Sequence, residues 1–104
     1  MTATIAIVQV TCPDRDTAES IARTLLAERL IACANILDCR SVYRWQGAIE
    51  QGDEVAMQLK TLPARIDAAA ARIAALHPYD LAAIEHWPAT ATPAVAAWVA
   101  EAVL

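Results

Sequence analysis

Residues 41–61 read SVYRWQGAIEQGDEVAMQLKT and carry the clearest local structural signal in the chain. Gly47 follows Gln46 between two stretches with apolar and aromatic residues, which is typical of the turn of a β-hairpin. In the second stretch, Ala48–Thr61, the residues Val55, Met57 and Leu59 alternate with Ala56, Gln58 and Lys60. This period of two predicts a strand with one buried face and one wetter face.

Apolar stretches on either side of the hairpin predict the remaining strands. They are Thr4–Thr11, Ile31–Leu37 and Leu81–Trp87. We expect the second to continue as Ser41–Trp45 into the hairpin, with a bend or bulge at Asp38-Cys39-Arg40. We expect Pro88 to close the last strand, because proline has no N–H to donate to a ladder.

Three segments carry apolar residues at helical spacing. The first begins after Asp14 or Asp16, either of which can cap it. The second opens at Pro63 and is stopped by Pro78, because the residue before a proline avoids the helical region. Thr92-Pro93 starts the third helix.

The predicted order is therefore β-α-β-β-α-β-α, an α+β protein forming a single domain over residues 1–104. Right-handed crossovers would pack the first two helices on one face of an antiparallel sheet, which is the ferredoxin-like arrangement. The C-terminal helix is extra to this pattern. It can cover part of the other face, and the rest must contact water or another subunit.

Composition narrows the class of partner. The 104 residues are 58% hydrophobic and carry a formal net charge of −4 without a basic stripe, which does not favour a nucleic-acid groove. The apolar runs are too short to cross a membrane. Met1–Thr4 carries no positive charge, so we expect no secretory leader and a cytosolic protein.

Three cysteines are present, Cys12, Cys33 and Cys39, without a C-x-x-C pair. An odd number at these spacings is typical of neither a disulfide framework nor a zinc knuckle. We expect reduced thiols, and we expect Cys33, which stands between two alanines in a strand, to be buried and inert.

Several motifs together resemble one known family. They are Val10–Arg15, Ala32–Ile36, Ser41–Glu50, Lys60-Thr61 and His77–Tyr79. At these spacings the chain resembles the CutA, or divalent-cation tolerance, family over nearly its whole length. The resemblance implies a ferredoxin-like subunit in a tight homotrimer, similar in build to PII-type signalling proteins. It also implies a link to divalent-cation tolerance, notably of copper, and no established catalytic reaction.

The chain departs from the family pattern at three places. Ala82-Ala83 stand where the family usually has Pro-Glu, and Gln46 replaces its usual acidic residue after the hairpin tryptophan. The cysteine of the family's reported metal-binding positions falls on Val10, two residues before Cys12. His77 matches the family's histidine.

His77 and Cys12 are therefore the candidate metal ligands. A thiolate and an imidazole suit copper(I), and Glu85 is a further candidate by residue type. In a ferredoxin-like sheet the end of the first strand and the start of the fourth lie at one edge, which would bring Cys12 and His77 to the same end of the subunit. The alternative for His77 is a structural role at the end of a helix. His86 follows Glu85 on a strand and must face the other side, so we interpret it as a surface or interface residue.

A second candidate site is a cleft between subunits lined by Tyr43, Trp45, Lys60 and Tyr79, which would hold a small ligand. The alternative for the aromatic residues is packing in the core or at a subunit contact. Lys60 could instead pair with Glu54 or serve only solubility.

A hydrolase and an RNA-binding module are the alternatives to a binding or regulatory trimer. An acylphosphatase-like hydrolase shares this strand order, but it needs backbone amides and an arginine around phosphate. The loop Cys12–Arg15 has no glycine, and Asp14 would repel a phosphate. An RNA-binding module is disfavoured by the acidic charge and by the absence of an aromatic pair on the central strands.

Overall fold

The computed structural model describes residues 3–104. Met1 and Thr2, on which the expectation of no secretory leader partly rests, lie outside the described residues. Within that range the elements are β1 (Ala3–Cys12), α1 (Arg15–Ala27), β2 (Cys33–Trp45), β3 (Ala48–Thr61), a short 3-10 helix (Pro63–Arg65), α2 (Ile66–Leu76), β4 (Ile84–Ala91) and α3 (Pro93–Ala102). The sheet has the order β2-β3-β1-β4 and its neighbours are antiparallel. This confirms the predicted ferredoxin-like arrangement with an additional C-terminal helix.

The main core lies between α1, α2 and one face of the sheet. Register sets which side chains reach it: Val8 opposes Leu59, Val10 opposes Met57, and Cys12 opposes Val55. These residues are buried together with Leu25 of α1 and Ile73 of α2. On the opposite face, α3 packs Val99 against Ile5 and Ile7, near one end of the sheet. Alternation along β1 therefore supplies both cores.

β2 begins at Cys33 rather than at the predicted Ile31, and it runs without interruption to Trp45. The expected bend at residues 38–40 is wrong, because Asp38, Cys39 and Arg40 pair in unbroken register with Val55, Glu54 and Asp53. At these residues the hairpin extends beyond the rest of the sheet, and both of its faces are open to water. Polar side chains can therefore be solvated on either face, and no bulge is needed to turn them outward. Arg40 also forms an ion pair with Asp53, its direct cross-strand neighbour, at 3.0 Å.

The predicted bounds of β4 are also wrong. The strand begins at Ile84 rather than Leu81, and it continues through Pro88 to Ala91. Pro88 stands opposite Ala6 in the ladder with β1. Because β4 is at the edge of the sheet, no strand among residues 3–104 lies on its outer side, and a proline is tolerated there.

Cys33 is half-buried rather than buried, so this expectation is wrong for the isolated subunit. β2 is the other edge strand, and Cys33 pairs with Lys60 on the face away from the main core. Asp14 is the residue that caps α1: its carboxylate accepts the Thr17 N–H at 2.8 Å. Among residues 3–104, no helix is both long and apolar enough to span a bilayer.

The hairpin projects beyond the rest of the sheet. In the described residues, β3 pairs with β1 only from Val55 onward, whereas its first seven residues pair with β2 alone. We call residues 39–54 the ribbon. The longest dimension of the subunit is 46 Å, against 26 and 21 Å in the other directions.

Candidate functional site

His77 occupies the C-terminal end of α2 and is held by two hydrogen bonds. Its Nε2 lies 2.8 Å from the carbonyl oxygen of Thr11 in β1, and the backbone N–H of Tyr79 donates to its Nδ1 at 3.1 Å. Because Nδ1 accepts, Nε2 carries the hydrogen and donates to Thr11. The side chain is only 8% exposed. Both nitrogens of the imidazole are therefore engaged in fixing the turn after α2.

Cys12 is the last residue of β1 and is completely buried. It lies on the same face as Val10, as expected if the strand extended this far. Burial, with smaller contributions from the nearby carboxylates of Asp14 and Glu54, raises the pKa of the Cys12 thiol to about 11. The thiol is consequently protonated at neutral pH.

The residues at this corner do not fit a resident metal ion as they stand. His77 binds the residue next to Cys12, so the two candidates do lie in one corner of the subunit. However, neither imidazole nitrogen is free and the thiol is buried and protonated. No group of three or more His, Cys, Asp or Glu side chains within residues 3–104 is arranged to hold a metal. Copper binding by His77 and Cys12 stays a prediction.

Tyr79 connects this corner to the ribbon. Its hydroxyl donates to a carboxylate oxygen of Glu54 at 2.7 Å, and its ring lies 4.8 Å from the His77 ring at a tilt of 59°. Burial is the main cause that raises the pKa of Tyr79 above its usual value, followed by the hydrogen bond to Glu54 and the nearby Tyr43. The phenol therefore remains a hydrogen-bond donor at neutral and alkaline pH.

The four residues of the predicted cleft do not meet within one subunit. Tyr43 is near enough to contribute to the raised pKa of Tyr79, but Trp45 lies at the tip of the ribbon. Lys60 is ten residues along β3 from Glu50, the cross-strand partner of Tyr43. That is about 30 Å at 3.3 Å per strand residue. Lys60 Nζ donates to Asn35 Oδ1 at 3.1 Å rather than pairing with Glu54.

A polar row crosses the sheet face that α3 leaves partly open. We give this name to Asn35, Gln58, Gln9 and Glu85, which are directly opposed on β2, β3, β1 and β4. The Gln58 amide donates to Gln9 at 3.0 Å, and the Gln9 amide donates to Glu85 at 3.3 Å. His86 lies on the other face and is exposed, in agreement with its expected orientation. The sequence placed Gln58 on a wetter face but gave no sign of the row, because the register between strands is not local information.

Apolar side chains are exposed along the ribbon. Val42 and Ile49 are 66% and 70% exposed, and Tyr43 and Trp45 are also exposed. Single exposed apolar residues are common on protein surfaces, but several on one short segment indicate a surface that contacts another molecule. The ribbon therefore carries several exposed apolar side chains among its polar ones, and nothing within residues 3–104 covers them.

Comparison with known proteins agrees with this fold. The family described as CutA1 divalent ion tolerance protein matches residues 6–102. The chain is 49% identical over 78 residues to the divalent-cation tolerance protein CutA of Pyrococcus horikoshii, covering 75% of this chain and 76% of that protein. It is 38% identical over 76 residues to human protein CutA, covering 72% of this chain but only 42% of the longer human protein.

Among solved structures, the chain is similar to the periplasmic divalent cation tolerance protein CutA from Archaeoglobus fulgidus. The TM-score is 0.93 at 30% identity, covering 98% of this chain and all of that one. The periplasmic location is stated for that protein, and the cytosolic location of this chain stays a prediction. A match over residues 6–102 and relatives well above 30% identity are sufficient to assign the family. This chain belongs to the CutA family of divalent-cation tolerance proteins.

Proposed function

We propose that this chain acts as a homotrimeric binding or regulatory protein in divalent-cation tolerance and that it catalyses no reaction. The observation that supports this most directly is the ribbon, residues 39–54, which leaves the sheet with apolar side chains exposed. A two-stranded ribbon is marginally stable in water, so it needs a surface to cover it. A second copy of the chain is the partner that the family resemblance implies.

The edges of the sheet also support assembly. β2 and β4 are edge strands, and a long open edge is normally paired, covered or blunted. Identical subunits can satisfy such edges in a closed ring by contacting one another head to tail. The number of three subunits rests on the resemblance to the family.

The loop after β1 supports a non-catalytic role. A hydrolase acting on phosphate would use the free amides at the start of α1, but the Asp14 carboxylate already accepts one of them. Arg15, the residue that could hold the phosphate, binds Asp38 through two nitrogens at 3.0 and 2.8 Å. The hydrolase alternative therefore lacks an anion site here.

A PII-like trimer that binds a small ligand without a metal is the alternative within this proposal. In one subunit, strand geometry places Tyr43 about 30 Å from Lys60, and it places Glu54, the partner of Tyr79, about 20 Å from Lys60. A cleft containing all four predicted residues would consequently need side chains from two subunits.

Direct binding of copper(I) by His77 and Cys12 can be tested by titration under reducing conditions, with a competing chelator. Because the ring must release Thr11 or Tyr79 and the thiol must lose its proton, we expect any affinity to be modest. We expect it to fall in His77→Ala and in Cys12→Ser. Equal affinity in the wild type and both variants would mean that these residues are structural. Parallel titrations with zinc, and with copper(II) in a buffer without reductant, establish which cation, if any, is bound.

A further inference from the structure

The direction of the ribbon is weakly determined by its own backbone. Before Val55 the described part of β3 pairs with β2 alone, so the ribbon consists of two strands. Two-stranded ribbons twist more strongly than larger sheets, and they are marginal on their own. Side-chain contacts where the ribbon joins the four-stranded sheet, near Asp38 and Val55, can therefore set the angle between the ribbon and the sheet.

A first contact joins α1 to β2 at this junction. Arg15, the first residue of α1, donates to both carboxylate oxygens of Asp38, from Nε at 3.0 Å and from Nη2 at 2.8 Å. The Asp14 cap fixes the start of the helix, so the Arg15 backbone is held in place. The Arg15 guanidinium lowers the pKa of Asp38, which is consistent with a bidentate pair.

A second contact joins the turn after α2 to β3. Thr11 accepts from His77, His77 accepts from the Tyr79 N–H, and the Tyr79 hydroxyl donates to Glu54. This chain of bonds runs from the end of β1 to the last ribbon residue before Val55. His77 thus acts on the ribbon through Tyr79, as a positioning residue.

The two contacts lie on opposite faces of the hairpin, at Asp38 just before the ribbon and at Glu54 at its end. Asp38 is the cross-strand partner of Val55, so it shares the face of Val55. Glu54 precedes Val55 and must point to the other face, because successive strand residues alternate. Tilting the ribbon toward either face would consequently stretch one contact.

We propose that Arg15 with Asp38, and Tyr79 with Glu54, form a pair of clamps that fix the direction of the ribbon and so present it to neighbouring copies of the chain. The link to neighbouring copies rests on the proposed trimer. The clamp itself is a property of one subunit and can be measured separately.

The test compares the full-length wild type with Tyr79→Phe, Arg15→Gln and the double variant. Tyr79→Phe keeps the ring against His77 and deletes only the hydroxyl. Arg23→Gln is the matched control, since it breaks the 3.4 Å ion pair with Glu19 in the same helix without touching the ribbon. Two quantities are measured: hydrogen exchange of the ribbon amides by mass spectrometry, and the dissociation constant of the assembly by sedimentation equilibrium.

We expect Tyr79→Phe to raise ribbon exchange and the dissociation constant by roughly three- to tenfold, as for loss of a hydrogen bond to a charged partner. We expect a smaller rise, up to about fivefold, for Arg15→Gln, because the Arg15 and Asp38 side chains are 70% and 69% exposed. The double variant should exceed both, and Arg23→Gln should match the wild type. Unchanged exchange in the double variant would overturn the clamp. Raised exchange with an unchanged dissociation constant would overturn its link to assembly. A monomeric wild type would instead refute the trimer, and exchange in that monomer would still decide whether the clamp exists.

Discussion

At the scale of single residues, the surroundings of Cys12 and of His77 decide whether each side chain can act as a metal ligand. Both belong to motifs that the sequence identified, and both lie at the junction of β1 and α2. Their residue types suit copper(I), but the imidazole is committed at both nitrogens and the thiol is completely buried. Residue type alone therefore does not distinguish a metal ligand from a structural group at this corner.

Because the Cys12 thiol is buried, the free energy of unfolding should depend on pH in the alkaline range. An exposed thiol has a pKa of 9.0, whereas that of folded Cys12 is about 11. Between these values the unfolded chain loses a proton that the folded chain keeps, so the free energy of unfolding falls as pH rises. The loss approaches about 2–3 kcal/mol by pH 11.

Denaturant unfolding of the wild type and Cys12→Ala between pH 8 and 11 measures this slope. Cys12→Ala should be less stable overall, because it leaves a cavity, but its stability should depend less on pH. Cys39→Ser serves as the control, because that thiol is half-buried and the variant should keep the wild-type slope. The same slope in all three proteins would show that Cys12 does not titrate as described.

Single elements differ in how far they can be predicted from sequence. The hairpin was predicted correctly because the turn and the alternation of Val55, Met57 and Leu59 are local features. The bend at residues 38–40 and the end of β4 at Pro88 were predicted wrongly. Both depend on which strands lie at an edge or leave the sheet, and that is set by the whole fold.

The turn of the hairpin contains a residue with an unfavourable backbone. Gln46 and Gly47 have φ angles of +50° and +81°, as in a two-residue turn with both central residues left-handed. Glycine adopts this region freely and asparagine tolerates it, whereas glutamine does so at a cost. We expect Gln46→Asn to raise the free energy of unfolding by roughly 0.5–1 kcal/mol.

Thermal or denaturant unfolding checks this effect. The matched control is Gln51→Asn, the same chemical change at an exposed position inside β3, where asparagine has a poor strand propensity and no gain is expected. If Gln51→Asn stabilises the chain as much as Gln46→Asn, the turn geometry is not the cause.

The candidate site combines residues that the sequence identifies with contacts that only the fold reveals. His77 and Tyr79 were found from sequence, as were Cys12 and Tyr43, because they belong to recognisable motifs. Their contacts to Thr11 and Glu54 were not, since these partners are 66 and 25 residues away. The polar row was missed for the same reason, as its members come from all four strands of the described sheet.

At the scale of the whole molecule, the subunit has features that a single copy leaves incomplete. The ribbon extends apolar residues away from the body, the sheet has edges at β2 and β4, and a polar row crosses its partly open face. Assembly would cover the ribbon and pair the edges. Within the polar row the Gln58 and Gln9 amides donate to Gln9 and Glu85, so these two hydrogen bonds can persist if other copies enclose the row.

The central claim, that the chain functions as a homotrimer, is tested most directly by its mass in solution. Light scattering coupled to size exclusion, at micromolar concentration and under reducing conditions, measures this mass without reference to shape. We predict three times the 11.2 kDa of one chain. A mass of 11.2 kDa at these concentrations would contradict the account, because the exposed ribbon would then be stable without a covering subunit.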